Sequence, residues 1–169
     1  MGRPKAIVVM GVAGCGKSTV GLALAQRLGV NLIEGDDFHS PENRQKMGGG
    51  QALTDDDRLP WLHALSAQLA KPLGDMVMTC SALKASYRDI LRCAVPHLAF
   101  VYLVIDKAMA QQRTLGRENH FFSAALVESQ FNTLESPVRE PRVLQCDATL
   151  SIDQMIGRIM VWVDSEAMV

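Results

Sequence analysis

Eight consecutive residues, Gly11-Val12-Ala13-Gly14-Cys15-Gly16-Lys17-Ser18, carry the pattern G-x-x-x-x-G-K-[ST]. Each residue type meets a requirement of triphosphate chemistry. Glycines let the backbone curl until successive N–H groups face one anion. A helix starting at the end of the loop adds the positive pole of its dipole. Lys17 is long enough to reach the β- and γ-phosphate oxygens, and the Ser18 hydroxyl suits a Mg2+ ion. Residues Gly11 to Ser18, with Thr19, are therefore expected to hold ATP, Ser18 serving the metal. The segments that read guanine and sense hydrolysis in GTPases, N-K-x-D and D-x-x-G, do not occur. Cys15 lies beside Lys17 in the loop. It reads either as an activated thiol or as a small side chain filling the turn, and the second reading is preferred.

A second concentration of polar groups runs through Glu34, Asp36, Asp37, His39, Asn43, Lys46, Asp55, Asp56, Asp57 and Arg58. A carboxylate close to the γ-phosphate can hold an acceptor hydroxyl in line and take its proton. The segment Glu34–Asp36 follows an apolar run and is placed for that work. No acid ends the later run Met76–Cys80, so a metal-organising carboxylate has to lie elsewhere, Glu34 and Asp36 being candidates. Asp55 and Asp56 read more simply as charges at a helix start. A third cluster is Ser81, Lys84, Tyr87 and Arg88, and a fourth is Arg113, Arg117, His120 and Gln130. Arg113 and Arg117 are spaced i, i+4 and share one helix face. Paired arginines ahead of a loop suit a lid that closes positive charge over a transferring phosphoryl group.

The elements that must position these residues alternate. Short Val- and Ile-rich runs predict strands at 6–10, 30–34, 76–80, 99–105 and 142–146. Amphipathic stretches between them predict helices near 17–28, 41–47, 58–71, 84–94, 107–117, 124–134 and 152–165. Continuous apolar strands alternating with helices indicate a parallel sheet covered on both faces, an α/β three-layer fold. Ser40-Pro41 reads as a cap with proline at the first helical position, and Ser151 to Gln154 as a capping box. The 169 residues make one domain's worth of chain, expected as a single domain over 1–169. The net charge of −1 argues against a nucleic-acid coat, whose affinity rests on positive excess. No apolar run approaches the roughly 20 residues that span a bilayer, and no membrane partner is expected. The start runs directly into Ala6-Ile7-Val8-Val9-Met10 without a small-residue cleavage pattern. Cys15, Cys80, Cys93 and Cys146 are scattered with no C-x-x-C pair, so reduced thiols in a cytoplasmic protein are expected.

Taken together these segments resemble the gluconate kinases. The matching residues are Met10-Gly11 through Ser18; Gly35-Asp36 with His39 and Asn43; Lys46-Met47, Leu53, Asp55, Asp57-Arg58 and Pro60-Trp61-Leu62. They continue with Cys80-Ser81-Ala82-Leu83-Lys84 and Tyr87-Arg88-Asp89; Arg113, Arg117 and His120-Phe121; and Ser129-Gln130-Phe131 with Leu134-Glu135. The resemblance spans roughly residues 6–137, and the D-x-D-R-x-P-W-L and C-S-A-L-K-x-x-Y-R segments are its specific part. It implies a P-loop fold with strand order 2-3-1-4-5, an acceptor-binding insertion about 37–73 and a helical lid about 113–124. It implies transfer of the ATP γ-phosphoryl group to the 6-hydroxyl of D-gluconate, with Mg2+, in a homodimer. Lys17, Asp36, Arg113 and Arg117 would be catalytic. Asp36, His39, Arg58, Lys84, Arg88, His120 and Gln130 would bind the sugar acid, whose carboxylate and hydroxyls the cations can pair. Val138–Ala148 departs from the family, although Pro141 and Arg142 lie where adenine contacts are expected. The alternatives are a related kinase acting on shikimate or a nucleotide, and an ATP-binding regulatory module. Lys17, Ser18 and Asp36 are all present, which disfavours the regulatory reading.

Overall fold

The computed structural model describes residues 6–115 and 124–167. Five parallel strands form one sheet: β1 (Ala6–Met10), β2 (Asn31–Glu34), β3 (Met76–Thr79), β4 (Ala99–Val104) and β5 (Val143–Asp147), in the order β2-β3-β1-β4-β5. The expected class and order are therefore found. The registers Val8 with Met78 and Val8 with Phe100 place β1 at the centre. Val8, Val9, Val77, Met78, Phe100 and Val101 are fully buried, which accounts for the unbroken apolar runs. Strand order reverses around β1, and ligands of open parallel sheets bind at such a switch point, outside the carboxyl ends of the strands.

Helices cover both faces: α1 (Lys17–Leu28), α2 (Pro41–Gly48), α3 (Asp55–Leu69), α4 (Ala85–Ala94), α5 (Lys107–Leu115), α6 (Ala124–Thr133) and α7 (Ile152–Glu166). Local chemistry sets several of their starts. Ser40 Oγ accepts from Asn43 N at 3.1 Å, with Pro41 at the first helical position. Ser151 and Gln154 form the expected capping box. The third helix begins three residues before its expected start. Thr54 Oγ1 accepts from Asp57 N at 3.1 Å while Asp57 Oδ2 accepts from Thr54 N at 2.9 Å, so Asp55 to Asp57 are its first turn rather than its approach. A short 3-10 turn over Gly35–Phe38, absent from the sequence reading, follows β2. Leu62 and Leu65 of α3 are fully buried, each stabilising the fold by about 1.5–3 kcal/mol. No helix of the described residues is long and apolar enough to cross a membrane.

Candidate functional site

The loop between β1 and α1 lies at the switch point. Gly14 has φ +83°, and a Cβ there would stand 2.6 Å from the Ala110 carbonyl oxygen, so only glycine lets the loop pass α5. Lys17 Nζ donates to the carbonyls of Gly11 and Val12, each at 3.1 Å. Those bonds fold the side chain back along the loop. Gly16, the residue before α1, has no side chain to cap the helix, so the first N–H groups of α1 are open to an anion. Ser18 Oγ donates to Glu34 Oε2 at 3.1 Å, and Thr79 Oγ1 donates to the same oxygen at 2.6 Å. A hydroxyl beside a carboxylate is the hard-oxygen donor set that Mg2+ accepts, the remaining places going to water and phosphate. Of the two acids named from the sequence, the structure brings Glu34 to Ser18.

Asp36 is delivered by the 3-10 turn. A Cβ at Gly35 would stand 2.1 Å from the Thr79 carbonyl oxygen, so glycine permits the turn to lie against β3. Gly35 N donates to Thr79 Oγ1 at 3.2 Å, and Trp61 Nε1 of α3 donates to the Gly35 carbonyl at 2.8 Å. These bonds fix the backbone while the Asp36 side chain stays 70% exposed. Arg44 closes the turn from outside, donating to the carbonyls of Asp36, Asp37 and His39. The His39 ring stacks on Trp61, centroids 4.2 Å apart and planes 15° from parallel. Burial pushes its pKa down to about 4; Asp36 opposes that shift, while Arg44 and Arg58 add to it. His39 is therefore neutral at pH 7. Arg58 is buried, its Nη1 donating to the Leu53 carbonyl at 2.8 Å and to Tyr87 Oη at 3.4 Å. Lys17, Ser18, Asp36, His39, Arg58 and Gln130 all line one cleft of about 320 Å³.

Gln130, expected on the acceptor, lines the cleft, and its Oε1 accepts from Ala13 N of the phosphate loop at 2.7 Å. Lys84 does not reach the cleft. Its Nζ lies 2.9 Å from both carboxylate oxygens of Asp55, which also accepts from Tyr87 Oη. Arg88 is not brought there either. It is fully buried and donates to the carbonyls of Ala82, Leu83 and Glu135 and to the Glu140 carboxylate, at 2.6 Å from Nη2 to Oε1. Ala82 has φ +46°, a strained left-handed conformation, so Arg88 holds the turn after β3 rather than a ligand.

Arg88→Met is accordingly expected to destabilise the protein by about 3 kcal/mol, by leaving Glu140 with Arg92 alone and by taking a donor from the Ala82, Leu83 and Glu135 carbonyls. Lys84→Met, which breaks an exposed pair, is expected to melt close to its parent. Thermal melts of both variants test this, and an Arg88→Met protein melting like its parent would return Arg88 to the substrate. Burial works to raise the Glu140 carboxyl, but hydrogen bonds from Arg88 and Arg92 outweigh it and hold the group below the usual glutamate range. The depressed group stabilises the fold fully above the unfolded value near 4.5. That contribution is lost as pH falls through the lower folded value, so the Arg88→Met deficit shrinks in acid.

A second cleft of about 380 Å³ opens on the other side of the phosphate loop, lined by Thr19, Arg113, Ala148, Leu150 and Met155 among others. Arg113 Nη2 donates to the Ala148 carbonyl at 3.2 Å, tying α5 to the loop after β5. Cys15, buried at 1% exposure, also borders this cleft, as the small-residue reading expects. Pro141 and Arg142 lie at the opposite, amino end of β5, where Arg142 pairs with Glu166 at 3.2 Å. Ala148 and Leu150 were missed, although their place after the carboxyl end of β5 was signal enough. Arg117 and His120 lie outside the described residues, as does most of the 113–124 span. Among the described residues no group of three His, Cys, Asp or Glu side chains forms a dedicated metal cage.

The sequence profile of the AAA domain family matches residues 7–141. The gluconokinase of Gluconobacter oxydans is 44% identical over 161 residues, covering 94% of this chain and 90% of that protein. The crystal structure of a gluconokinase from Sinorhizobium meliloti superposes with a TM-score of 0.90 at 42% identity, covering 99% of this chain and 95% of that one. Shikimate kinase from Aquifex aeolicus has a TM-score of 0.68 at 14% identity, a likeness of fold alone.

Proposed function

This chain belongs to the gluconokinase family of P-loop kinases, and from that premise we propose that it transfers the ATP γ-phosphoryl group to the 6-hydroxyl of D-gluconate, giving 6-phospho-D-gluconate and ADP. The observation that carries the reading is one cleft lined by the phosphate-loop residues Lys17 and Ser18 and the acceptor-side residues Asp36, His39 and Arg58.

The residues divide the work as follows. The open N–H groups at the start of α1 and the Lys17 ammonium bind the β- and γ-phosphates. Ser18 Oγ and Glu34 Oε2 would hold Mg2+, which when bound offsets the negative charge of the phosphate oxygens. The acceptor hydroxyl loses its proton to the Asp36 carboxylate. Its oxygen forms the new bond to phosphorus as the bond to the β–γ bridging oxygen breaks, and that electron pair leaves with ADP. Arg58, the cation of the cleft set into α3, is the partner for the sugar-acid carboxylate. Gln130 shapes the phosphate loop through Ala13. Thr19 and Arg113 border the second cleft, which suits the nucleoside. The segment 37–73 serves as the acceptor arm, and 113–124, with Arg117 and His120, as the lid.

The test is ADP release by purified protein with Mg-ATP and D-gluconate, shikimate, D-glucose, a nucleoside monophosphate or no acceptor. Turnover with gluconate alone is expected, and turnover with another acceptor alone would overturn the substrate. Light scattering tests the homodimer that the family resemblance implies, and cell fractionation the cytoplasmic location that the scattered, unpaired cysteines suggest.

A further inference from the structure

The cleft contains a histidine whose ring nitrogens are not equivalent, and the cause lies outside the ring. Asn43 Nδ2 is 2.9 Å from the Asp57 carbonyl oxygen and 3.4 Å from His39 Nδ1. A backbone carbonyl only accepts, so the nitrogen end of the amide must face it. The second hydrogen of that nitrogen is then directed at His39 Nδ1, which must accept. In a neutral imidazole the remaining proton sits on Nε2. Nε2 lies 4.0 Å from Asp36 Oδ1. That is too far for a hydrogen bond. An oxygen about 2.8 Å from both atoms would subtend roughly 90° between them, an angle a hydroxyl spans between lone pair and proton.

We propose that Asn43 is a positioning residue that locks His39 as its Nε2–H tautomer, so that His39 and Asp36 grip the acceptor hydroxyl from two sides. The hydroxyl oxygen accepts from His39 Nε2–H while its own proton points to Asp36 Oδ1. The hydroxyl is thus fixed in rotation, and a lone pair is left for phosphorus. His39 transfers no proton; the acceptor proton goes to Asp36. Stacking on Trp61 keeps the ring in this plane, and the Trp61 Nε1 bond to the Gly35 carbonyl ties the stack to the turn that carries Asp36. Two kinds of neighbour set the ring's charge. Asp36 favours imidazolium, and burial with Arg44 and Arg58 disfavours it, so the neutral ring required here prevails at pH 7. The anchor is firm at its far end. Asp57 belongs to the capping box of α3 and lies 2.9 Å from Lys46 Nζ. An amide, not a carboxylate, is required at position 43, because only the amide can donate in both directions.

This inference rests on the kinase reading above, and the experiment separates their failures. Long-range 1H–15N correlation spectra of the whole protein at pH 7.5 report each imidazole's tautomer, with His39 assigned by the signal lost in His39→Gln. The expected result is an Nε2–H ring in the wild type. In Asn43→Asp, where a carboxylate accepts at Nδ1, an Nδ1–H ring, which lacks the Nε2 donor, is expected. For that variant kcat with gluconate falls at least about tenfold while KM for ATP stays within about twofold. The wild-type spectrum stands if Asn43→Asp does not fold. His39→Phe, which keeps the stack and lacks the donor, is expected to lose at least as much in kcat. A wild type that turns over gluconate with its proton on Nδ1, or with both nitrogens protonated, overturns the proposal. So does an Asn43→Asp protein with a changed tautomer and an unchanged kcat. A wild type with no turnover on gluconate overturns the acceptor reading instead.

Discussion

Lys17→Ala lowers kcat/KM by at least about a thousandfold, roughly 4 kcal/mol of barrier, while the protein melts within a few degrees of its parent. The activity loss follows from where charge develops. The γ-phosphoryl group passes through a loose state whose charge sits on the non-bridging and leaving oxygens, so fixed cations do most of the work. Lys17 is the ammonium set into the phosphate loop itself. Its present bonds, to the Gly11 and Val12 carbonyls at 3.1 Å, are made to uncharged acceptors that an anionic phosphate can replace. The unchanged stability follows from position. Lys17 is the first residue of α1, partly exposed, and alanine is the best helix former. Lys17→Arg is not expected to rescue, since a planar fork cannot take the place of a compact ammonium on a short loop. Steady-state kinetics beside a thermal melt makes the check. A variant retaining a tenth of the parental kcat/KM would remove Lys17 from the centre of the mechanism.

Asp36→Asn is the second large effect, and it has a different signature. Nucleotide affinity is retained, because the phosphate-binding groups lie on the loop and α1. The acceptor hydroxyl loses its base, and kcat falls by about 10²-fold or more, within the range general bases contribute. The looseness of phosphoryl transfer keeps the loss toward the lower end, since the proton leaves late. Folding is spared. The substitution is nearly isosteric, the side chain is 70% exposed, and the bonds holding the turn in place use backbone atoms of Gly35 and the Asp36 carbonyl. ATP binding by calorimetry, set against turnover with gluconate, tests it. Unchanged turnover would take Asp36 out of its role, and loss of ATP binding would make it part of the phosphate site instead.

The two variants bracket the cleft. One strips the donor side of its charge and the other strips the acceptor side of its base. Both sides are anchored on the end of β3 and the residues just after it, though neither Lys17 nor Asp36 belongs to that segment. Gly11 N donates to the Ser81 carbonyl at 3.4 Å, and Gly35 N donates to Thr79 Oγ1. The strand that ends without an acid thus works as a rail, aligning the loop after β1 with the turn after β2. Its hydroxyl also orients Glu34 toward Ser18. Arg88 supports the same rail from below by fixing the Ala82 turn.

What the sequence determined by itself was everything carried by local spacing. The five strands, the phosphate loop and its context, the caps at Ser40 and Ser151, and Asp36 at the end of a strand are written in neighbouring residues. Their physics is short-ranged: a backbone curl, a helix dipole, an i to i+3 capping bond, an apolar run that must be buried on both faces. The boundary of α3 was legible in principle, since Thr54 and Asp57 form the box that moves it.

Only the tertiary structure decided which cations line the cleft. Arg58, Lys84 and Arg88 look alike in sequence, each a basic residue in a polar cluster. Their partners arrive from distant segments: Tyr87 for Arg58, Asp55 for Lys84, Glu135 and Glu140 for Arg88. A buried guanidinium must satisfy several donors at once, so it goes where carbonyls and a carboxylate converge. That convergence is a property of packed elements, not of any stretch of chain. The same holds for Gln130, whose amide reaches across 117 residues to Ala13, and for the orientation of His39 by Asn43. A side chain's type sets what it can do. The partners folding brings within about 3 Å decide what it does.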